Sequence, residues 1–346
     1  MIKMKKKVAV AMSGGVDSSV AAALLLCKGF EVVGVTMKLQ DEESGAISDA
    51  KKVCDILGIN HYVADFTKIF RAEVEDYFVA EYLRGRTPNP CVRCNKKIKF
   101  GKLFDFAGEL GADFLATGHY ARVTFENGKH RLKKATDLKK DQSYVLYNLT
   151  EEKLSRTILP LGEMSKDEIR ARAEELNLPV AKKPDSQEIC FVPDDDYKKF
   201  LSVRDKNSGA LQPGEITDAD GKILGHHNGT ANYTIGQRKG LGIAAPQPLY
   251  VLRSDVKNRR VIVGKSDELF SDELVAEDFH KIHEDEIFPE KIFAKIRYGV
   301  RVNECSVKPE GKNIRVKFFE PQRAITAGQS VVLYDGDEVI GGGIIM

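Results

Sequence analysis

A short apolar segment, Lys7 to Met12, runs into Ser13-Gly14-Gly15-Val16-Asp17-Ser18-Ser19 and passes without a spacer into a helical pattern, Val16 to Lys28, that stops at Gly29. Few features constrain a fold more than a strand that must turn into a helix within three residues. Two glycines let the backbone turn tightly and approach a ligand with no Cβ in the way. The free amides and the positive end of the helix then face outward as an anion site. Ser13, Ser18 and Ser19 add hydroxyls, and Asp17 could help hold a divalent cation. A Gly-Gly turn with a purely structural purpose is the competing reading. Two other glycine patterns are decoys. Gly264-Lys265-Ser266 has Arg259 where a Walker loop needs its first glycine, and Gly240-Leu241-Gly242-Ile243-Ala244-Ala245 leads into Pro246-Gln247-Pro248, which cannot open the required helix.

The strand–helix alternation continues. Glu31 to Leu39, Ile59 to Ala64 and Asp113 to Thr117 read as strands; Ser48 to Leu57, Thr67 to Arg84 and Lys96 to Leu110 read as helices. That order predicts βαβ units and a buried parallel sheet. After about residue 200 the texture becomes glycine-rich and then alternating, with hairpin signals at Glu310-Gly311-Lys312-Asn313 and Asp335-Gly336. We expect an α/β domain over 1–200, a small β-rich domain over 201–270 and an antiparallel β-barrel over 271–346. The chain's 346 residues suffice for these three units. Its longest apolar run, Val20 to Cys27, is far short of the ~18 residues a bilayer needs. The basic start (Lys3, Lys5, Lys6, Lys7) is followed by too few apolar residues for a signal peptide, so a cytoplasmic protein is expected. A net charge of +2 offers no bulk argument for nucleic acid, although local basic runs occur at Lys96-Lys97-Lys99-Lys102, Lys133-Lys134-Lys139-Lys140 and Arg238-Lys239.

Six cysteines are too few for a disulfide scaffold. Their placement carries more information. Thr87-Pro88-Asn89-Pro90-Cys91-Val92-Arg93-Cys94-Asn95 sits between two helical patterns, with Cys94 just before the helix expected from Asn95. A helix N-terminus with Arg93 and Lys96 nearby would lower a thiol pKa, as a nucleophile or sulfur carrier requires. Metal readings compete. A deaminase zinc site is excluded, because none of the seven histidines has Glu two positions on; a Cys₄ zinc site lacks its second CxxC. A [4Fe-4S] cluster on Cys91, Cys94 and Cys190 stays open. Cys190 lies in the polar stretch Lys183-Pro184-Asp185-Ser186-Gln187-Glu188-Ile189-Cys190-Phe191, where a small buried hydrophobe is the plainer reading.

SGGVDS resembles the loop of the ATP pyrophosphatase superfamily, whose members cleave ATP between the α- and β-phosphates. Together with GVTMK (Gly34 to Lys38), TPNP…CN, TGHYAR (Thr117 to Arg122), KDQSY (Lys140 to Tyr144), PDSQEICF and YTIGQRKGLG (Tyr233 to Gly242), in that order, it is similar to the bacterial tRNA 2-thiouridylases. The resemblance implies an adenine-nucleotide alpha-hydrolase-like domain. It places ATP, with Mg2+, on Ala11, Met12, Ser13, Gly14, Gly15, Val16, Asp17 and Ser18, with Met37 and Gly118 completing the nucleotide site. It implies a wobble uridine activated by adenylation, a persulfide on Cys190 and Cys94 as its catalytic partner, ending in a Cys94–Cys190 disulfide. The target base would meet Asn89, Pro90 and Cys91, and the rest of the tRNA His119, Lys140, Asp141, Gln142, Arg297, Tyr298 and Gln329. One position departs from the family pattern: Cys91 stands where Asp is common, which leaves the general base open. A persulfide donor protein, a monomeric state and a base flipped into the Cys94 pocket are further expectations. The competing functions are a small-molecule ligase or amidotransferase, as in argininosuccinate or GMP synthesis, and an RNA-binding module with a relict loop.

Overall fold

A computed structural model of the chain describes residues 5–41, 45–184, 189–205 and 207–346. The first four residues, with Lys3 of the basic start, and Asp185 to Glu188 of the Cys190 motif lie outside the described residues. The N-terminal unit is a five-stranded parallel sheet in the order β3-β2-β1-β4-β7. Its strands are β1 (Lys7–Ala11), β2 (Glu31–Lys38), β3 (Asn60–Asp65), β4 (Phe114–Ala116) and β7 (Thr157–Ile158). Alternation along these strands feeds two cores. Ala9, Val33 and Val35 face one, while Val8, Val10 and Val32 face the other with α1 (Val16–Cys27) and α2 (Gly45–Leu57). Burial on both faces is what an all-parallel sheet requires. The nearly all-round apolar α1 is covered on its far side by the helix Lys166–Glu175, which opens with a Ser165/Glu168 capping box.

The hairpin β5 (Ala121–Glu126) and β6 (Lys129–Lys134) leaves this unit and docks elsewhere. The central sheet has the order β10-β11-β8-β9, built from β8 (Gly214–Thr217), β9 (Ile223–His227), β10 (Tyr250–Asp255) and β11 (Arg260–Gly264). Both decoy motifs fall here: Gly240 and Gly242 adopt positive φ in turns, and Gly264 ends β11. The C-terminal unit orders β12 (Phe270–Lys281), β15 (Asn313–Arg323), β14 (Asn303–Glu310), β13 (Ile292–Lys295), β16 (Ser330–Asp335) and β17 (Glu338–Ile345), and a β12–β17 pairing closes it into a barrel. Both hairpin signals appear where the sequence places them, joining β14 to β15 and β16 to β17.

Two features were not foreseen. The β5–β6 hairpin extends the barrel sheet through Lys133 opposite Glu338, and Arg131 bridges Glu286 and Glu338 at 2.6 and 2.8 Å. The barrel and the nucleotide unit also share a core: Val332, Tyr334 and Val339 pack in the cluster that holds Ala9 and Val35. The helix expected from Lys96 also begins earlier. It starts at Pro90, runs as Pro90–Cys94, widens through Asn95–Lys102, and finishes as Leu103–Glu109. Asn89 caps it, its Oδ1 accepting from the Cys91 and Val92 amides at 3.1 and 3.4 Å. A proline at the first helical position is favourable because that amide has no partner to lose.

Candidate active site

The phosphate loop is built almost entirely from itself. Gly14 takes φ +67°, and a Cβ there would lie 2.4 Å from the Ala46 carbonyl oxygen, so only glycine fits. Ser18 Oγ accepts from the Ser13 amide at 3.1 Å and donates to the Gly15 carbonyl at 3.2 Å; Ser19 Oγ donates to the same carbonyl at 2.8 Å. These bonds hold the turn open around the start of α1. Lys183 donates to the Gly14 carbonyl at 3.0 Å and to Asp49 at 2.9 Å, bringing the Cys190 segment's first residue to the loop. Asp17 Oδ1 accepts from Tyr120 Oη and Lys166 Nζ, both at 2.7 Å. The carboxylate proposed for a cation thus has one oxygen already committed to two donors. Gly118 belongs to the site for a steric reason: a Cβ would lie 2.9 Å from the Ser18 amide nitrogen. Met12 is buried, and Met37 is half-buried at the end of β2 where it packs against two cores.

Gly118 leads directly to the thiols. The next residue, His119, is buried and bonds Thr117 Oγ1 through Nδ1 at 2.7 Å and Lys99 Nζ through Nε2 at 3.3 Å. An ammonium can only donate, so Nε2 accepts and Nδ1 carries the proton toward Thr117. Burial and then the Lys99 charge push the His119 pKa far down, consistent with a neutral ring. Lys99 comes five residues after Cys94. In an α-helix that spacing points away, but the widened stretch Asn95–Lys102, with the Leu103 amide bonded to the Ile98 carbonyl, brings residues i and i+5 to one face.

Cys94 is buried among Phe70, Phe78, Ile98 and Phe191. Desolvation pushes its thiol up to about 12, opposed by Lys99, with Cys190 and Cys91 adding to the rise. The sequence expectation of a thiol acidified at a helix start is therefore corrected: Cys94 lies a full turn inside the helix and in an apolar core, where the neutral thiol is favoured. Cys190 is exposed; desolvation raises its thiol pKa, and Cys91 and Lys99 act on it in opposite directions. The neighbouring Phe191 anchors it, ring centroids 5.3 Å from Phe78 and 5.7 Å from Phe70. Cys91 is exposed. The three thiols thus share one electrostatic neighbourhood, although among the described residues no group of three or more His, Cys, Asp or Glu side chains is arranged to hold a metal ion.

The barrel closes the site from the other side. Tyr298 is exposed, and its hydroxyl senses Cys91 and Lys140. Arg297 beside it is half-buried. Gln329 Nε2 donates to the Thr87 carbonyl at 2.8 Å and the Thr87 amide donates to Ala327 at 2.8 Å, clamping the segment that leads to Pro90. Several residues expected on the RNA thus have internal partners. Asp141 is buried and accepts from the Ala135 and Ser143 amides at 3.1 Å each, and Gln142 accepts from the Tyr120 amide at 2.9 Å. Lys140 is half-buried beside them, and Asn89 and His119 are occupied as described. Sequence reasoning missed Lys99 as more than one member of a basic run, and missed Lys166 and Tyr120 altogether. The TGHYAR motif contained the Tyr120 signal; Lys99 becomes visible only once the helix is known to widen.

Fold and site together define an α/β nucleotide-binding protein whose phosphate loop is joined to a thiol cluster and flanked by two β-rich units. Family models agree with each part: a tRNA methyl transferase HUP domain matches residues 6–194, a tRNA methyl transferase PRC-barrel domain 199–265, and an aminomethyltransferase beta-barrel domain 271–345. The chain is 51% identical to the tRNA-specific 2-thiouridylase MnmA 2 of Thermoanaerobacter sp. (strain X514), covering 99% of both chains. It is 51% identical to the tRNA-specific 2-thiouridylase MnmA of Carboxydothermus hydrogenoformans, covering 99% of this chain and 98% of that one. With that of Acetivibrio thermocellus the figures are 49%, with 99% of both chains covered. The chain belongs to the tRNA-specific 2-thiouridylase family.

Proposed function

We propose that this protein is an ATP-dependent tRNA-uridine 2-sulfurtransferase that thiolates the wobble uridine. The observation that carries this reading is the continuous path from the phosphate loop, through Gly118, His119 and Lys99, to Cys94 and Cys190. ATP phosphates would sit on the loop from Ala11 to Ser18, with Met37 and Gly118 beside the nucleotide. Magnesium carried with ATP would neutralise phosphate charge, and the Asp17 carboxylate could share it. The chemistry follows in balanced steps. The uridine C2 oxygen attacks the α-phosphorus and pyrophosphate leaves. The terminal sulfur of the Cys190 persulfide bonds to C2, the C2–O bond breaks, and AMP departs with the oxygen. Cys94 then attacks the Cys190 sulfur, and the electron pair of the broken S–S bond moves onto the sulfur at C2. The products are 2-thiouridine and a Cys94–Cys190 disulfide. Burial keeps Cys94 protonated at rest, so it spares the persulfide until the base is in place.

Arg297, Tyr298 and Lys140 would grip an unpaired loop nucleotide by charge and stacking. Asn89, His119, Asp141, Gln142 and Gln329 would support that surface from below, given their internal bonds. We place the functional units at 1–200, 201–270 and 271–346, acting as a cytoplasmic monomer supplied by a persulfide-bearing carrier protein. The test is single-turnover thiolation of tRNA with a persulfide donor. Cys94→Ala and Cys190→Ala should each abolish product, and AMP with pyrophosphate should appear. Near-normal activity in either variant, or release of ADP, would sink the reading.

A further inference from the structure

Lys166 brings to the phosphate loop a buried cation that helix packing does not require. It is the first residue of the helix Lys166–Glu175, and 9% of it is exposed. Lysine seldom buries to that degree without a paired charge. Its ammonium donates at 2.7 Å to Oδ1 of Asp17, the second residue of α1. Tyr120 Oη donates to the same oxygen at 2.7 Å, and the ammonium lies 5.9 Å from the centre of the Tyr120 ring. The two helices are already joined by apolar contact, since Ile169 and Ala173 share one cluster with Val16, Val20 and Ala21. A buried ion pair adds little to stability over such packing.

Anion binding does account for the lysine. Asp17 sets a negative side chain among the α1 amides that would meet phosphate, where it repels an arriving triphosphate. Lys166 cancels that charge. The other cation at the turn, Lys183, is tied to the Gly14 carbonyl at 3.0 Å and to Asp49 at 2.9 Å. Lys166 instead holds a carboxylate that remains open to solvent: the Asp17 side chain is 32% exposed, against 10% for that of Lys166. We propose that Lys166 is a phosphate-binding residue, which passes from Asp17 to the β- and γ-phosphates when ATP arrives and then stabilises the departing pyrophosphate. This rests on the ATP-dependent reading above. The exchange needs only rotation of a flexible four-carbon stem. Asp17 then turns to the cation that accompanies ATP, so neither side chain loses a partner of opposite charge. As the bond between the α-phosphorus and the bridging oxygen breaks, negative charge grows on pyrophosphate. An ammonium at that position stabilises the transition state more than the bound nucleotide. Loss of pyrophosphate restores the pair with Asp17.

The experiment is calorimetric titration of the full chain, without tRNA, sulfur donor or turnover. Lys166→Met should weaken binding of inorganic pyrophosphate with magnesium about tenfold to a hundredfold, the loss expected for one charge-assisted hydrogen bond. AMP, which lacks the β- and γ-phosphates, should bind that variant as it binds wild type. Lys166→Arg keeps a cation on a long stem and should lose only a few-fold. Asp17→Asn should tighten metal-free pyrophosphate several-fold, and adding Lys166→Met should abolish that gain. Pyrophosphate that binds Lys166→Met as tightly as wild type would overturn the proposal. So would equal weakening of AMP and pyrophosphate with a lowered melting temperature, which makes the pair a brace between two helices. Wild type that binds neither ATP nor pyrophosphate removes the nucleotide reading and Lys166's role with it. Wild type that binds pyrophosphate through Lys166 yet forms no 2-thiouridine isolates the failure to the thiolation reading.

Discussion

The phosphate loop and the thiol site lie in one domain, yet they are constructed in opposite ways. The turn of the loop is shaped mainly by contacts within a few residues, with supports contributed by Ala46, Gly118, Tyr120, Lys166 and Lys183. The thiol site is assembled from a helix, a remote loop and the barrel: Cys94 and Lys99, Cys190 and Phe191, Tyr298 and Gln329. A locally encoded site tolerates little change in its own residues and much change elsewhere. A dispersed site fails through residues that never touch substrate.

Substitutions can break this contrast. The largest effect is expected on the loop side. Gly14→Ala forces a left-handed backbone and a contact with Ala46, a combined strain that should weaken ATP use about tenfold to a hundredfold, read as kcat/KM for ATP. Gly14 is buried, so the same strain should lower the melting temperature as well. On the dispersed side, Phe191→Ala removes a ring buried among Phe70, Phe78 and Phe200 and should cost about 3–5 kcal/mol in denaturant unfolding. It should also speed alkylation of Cys190, whereas Gly14→Ala leaves that rate alone.

Lys99→Met sharpens the comparison electrostatically. Cys94 has its pKa raised to about 12 by burial while Lys99 pulls it down, so losing the cation raises it further. Below that pKa the thiolate fraction falls tenfold for each unit gained, and Cys94 alkylation should slow at every pH up to the thiol's titration. Lys99→Arg should restore the profile; an unchanged profile in Lys99→Met would remove Lys99 from the thiol site. The smallest effect belongs to Gln329→Ala. Losing one hydrogen bond to Thr87 should cost about 1 kcal/mol and lower thiolation only a few-fold, measured as kcat with saturating ATP.

The same contrast explains what the sequence disclosed. Parallel strands, the glycine turn and both barrel hairpins follow from local period and turn chemistry, and all appear in place. The ordered motifs led to the right family. What local pattern could not convey was environment. Cys94 looked like a helix-start thiol because Asn89-Pro90 was not recognised as a cap, and its buried setting depends on Phe70, Phe78 and Phe191 arriving from elsewhere. Asp141 and Gln142, expected on the RNA, also accept buried backbone amides, which local pattern does not reveal.

The hairpin of β5 and β6 has a consequence in time. Arg131 and its partner Glu338 are separated by 207 residues. At a synthesis rate of about 5–20 residues per second, the hairpin waits on the order of 10–40 s for the strand that covers its edge. During that interval it presents open hydrogen-bonding groups, and its outer residues are Lys129, Arg131 and Lys133. Charges of one sign along a waiting edge repel a second copy of the same edge. The residues that later pair with Glu286 and Glu338 would thus have protected the nascent chain before those partners existed.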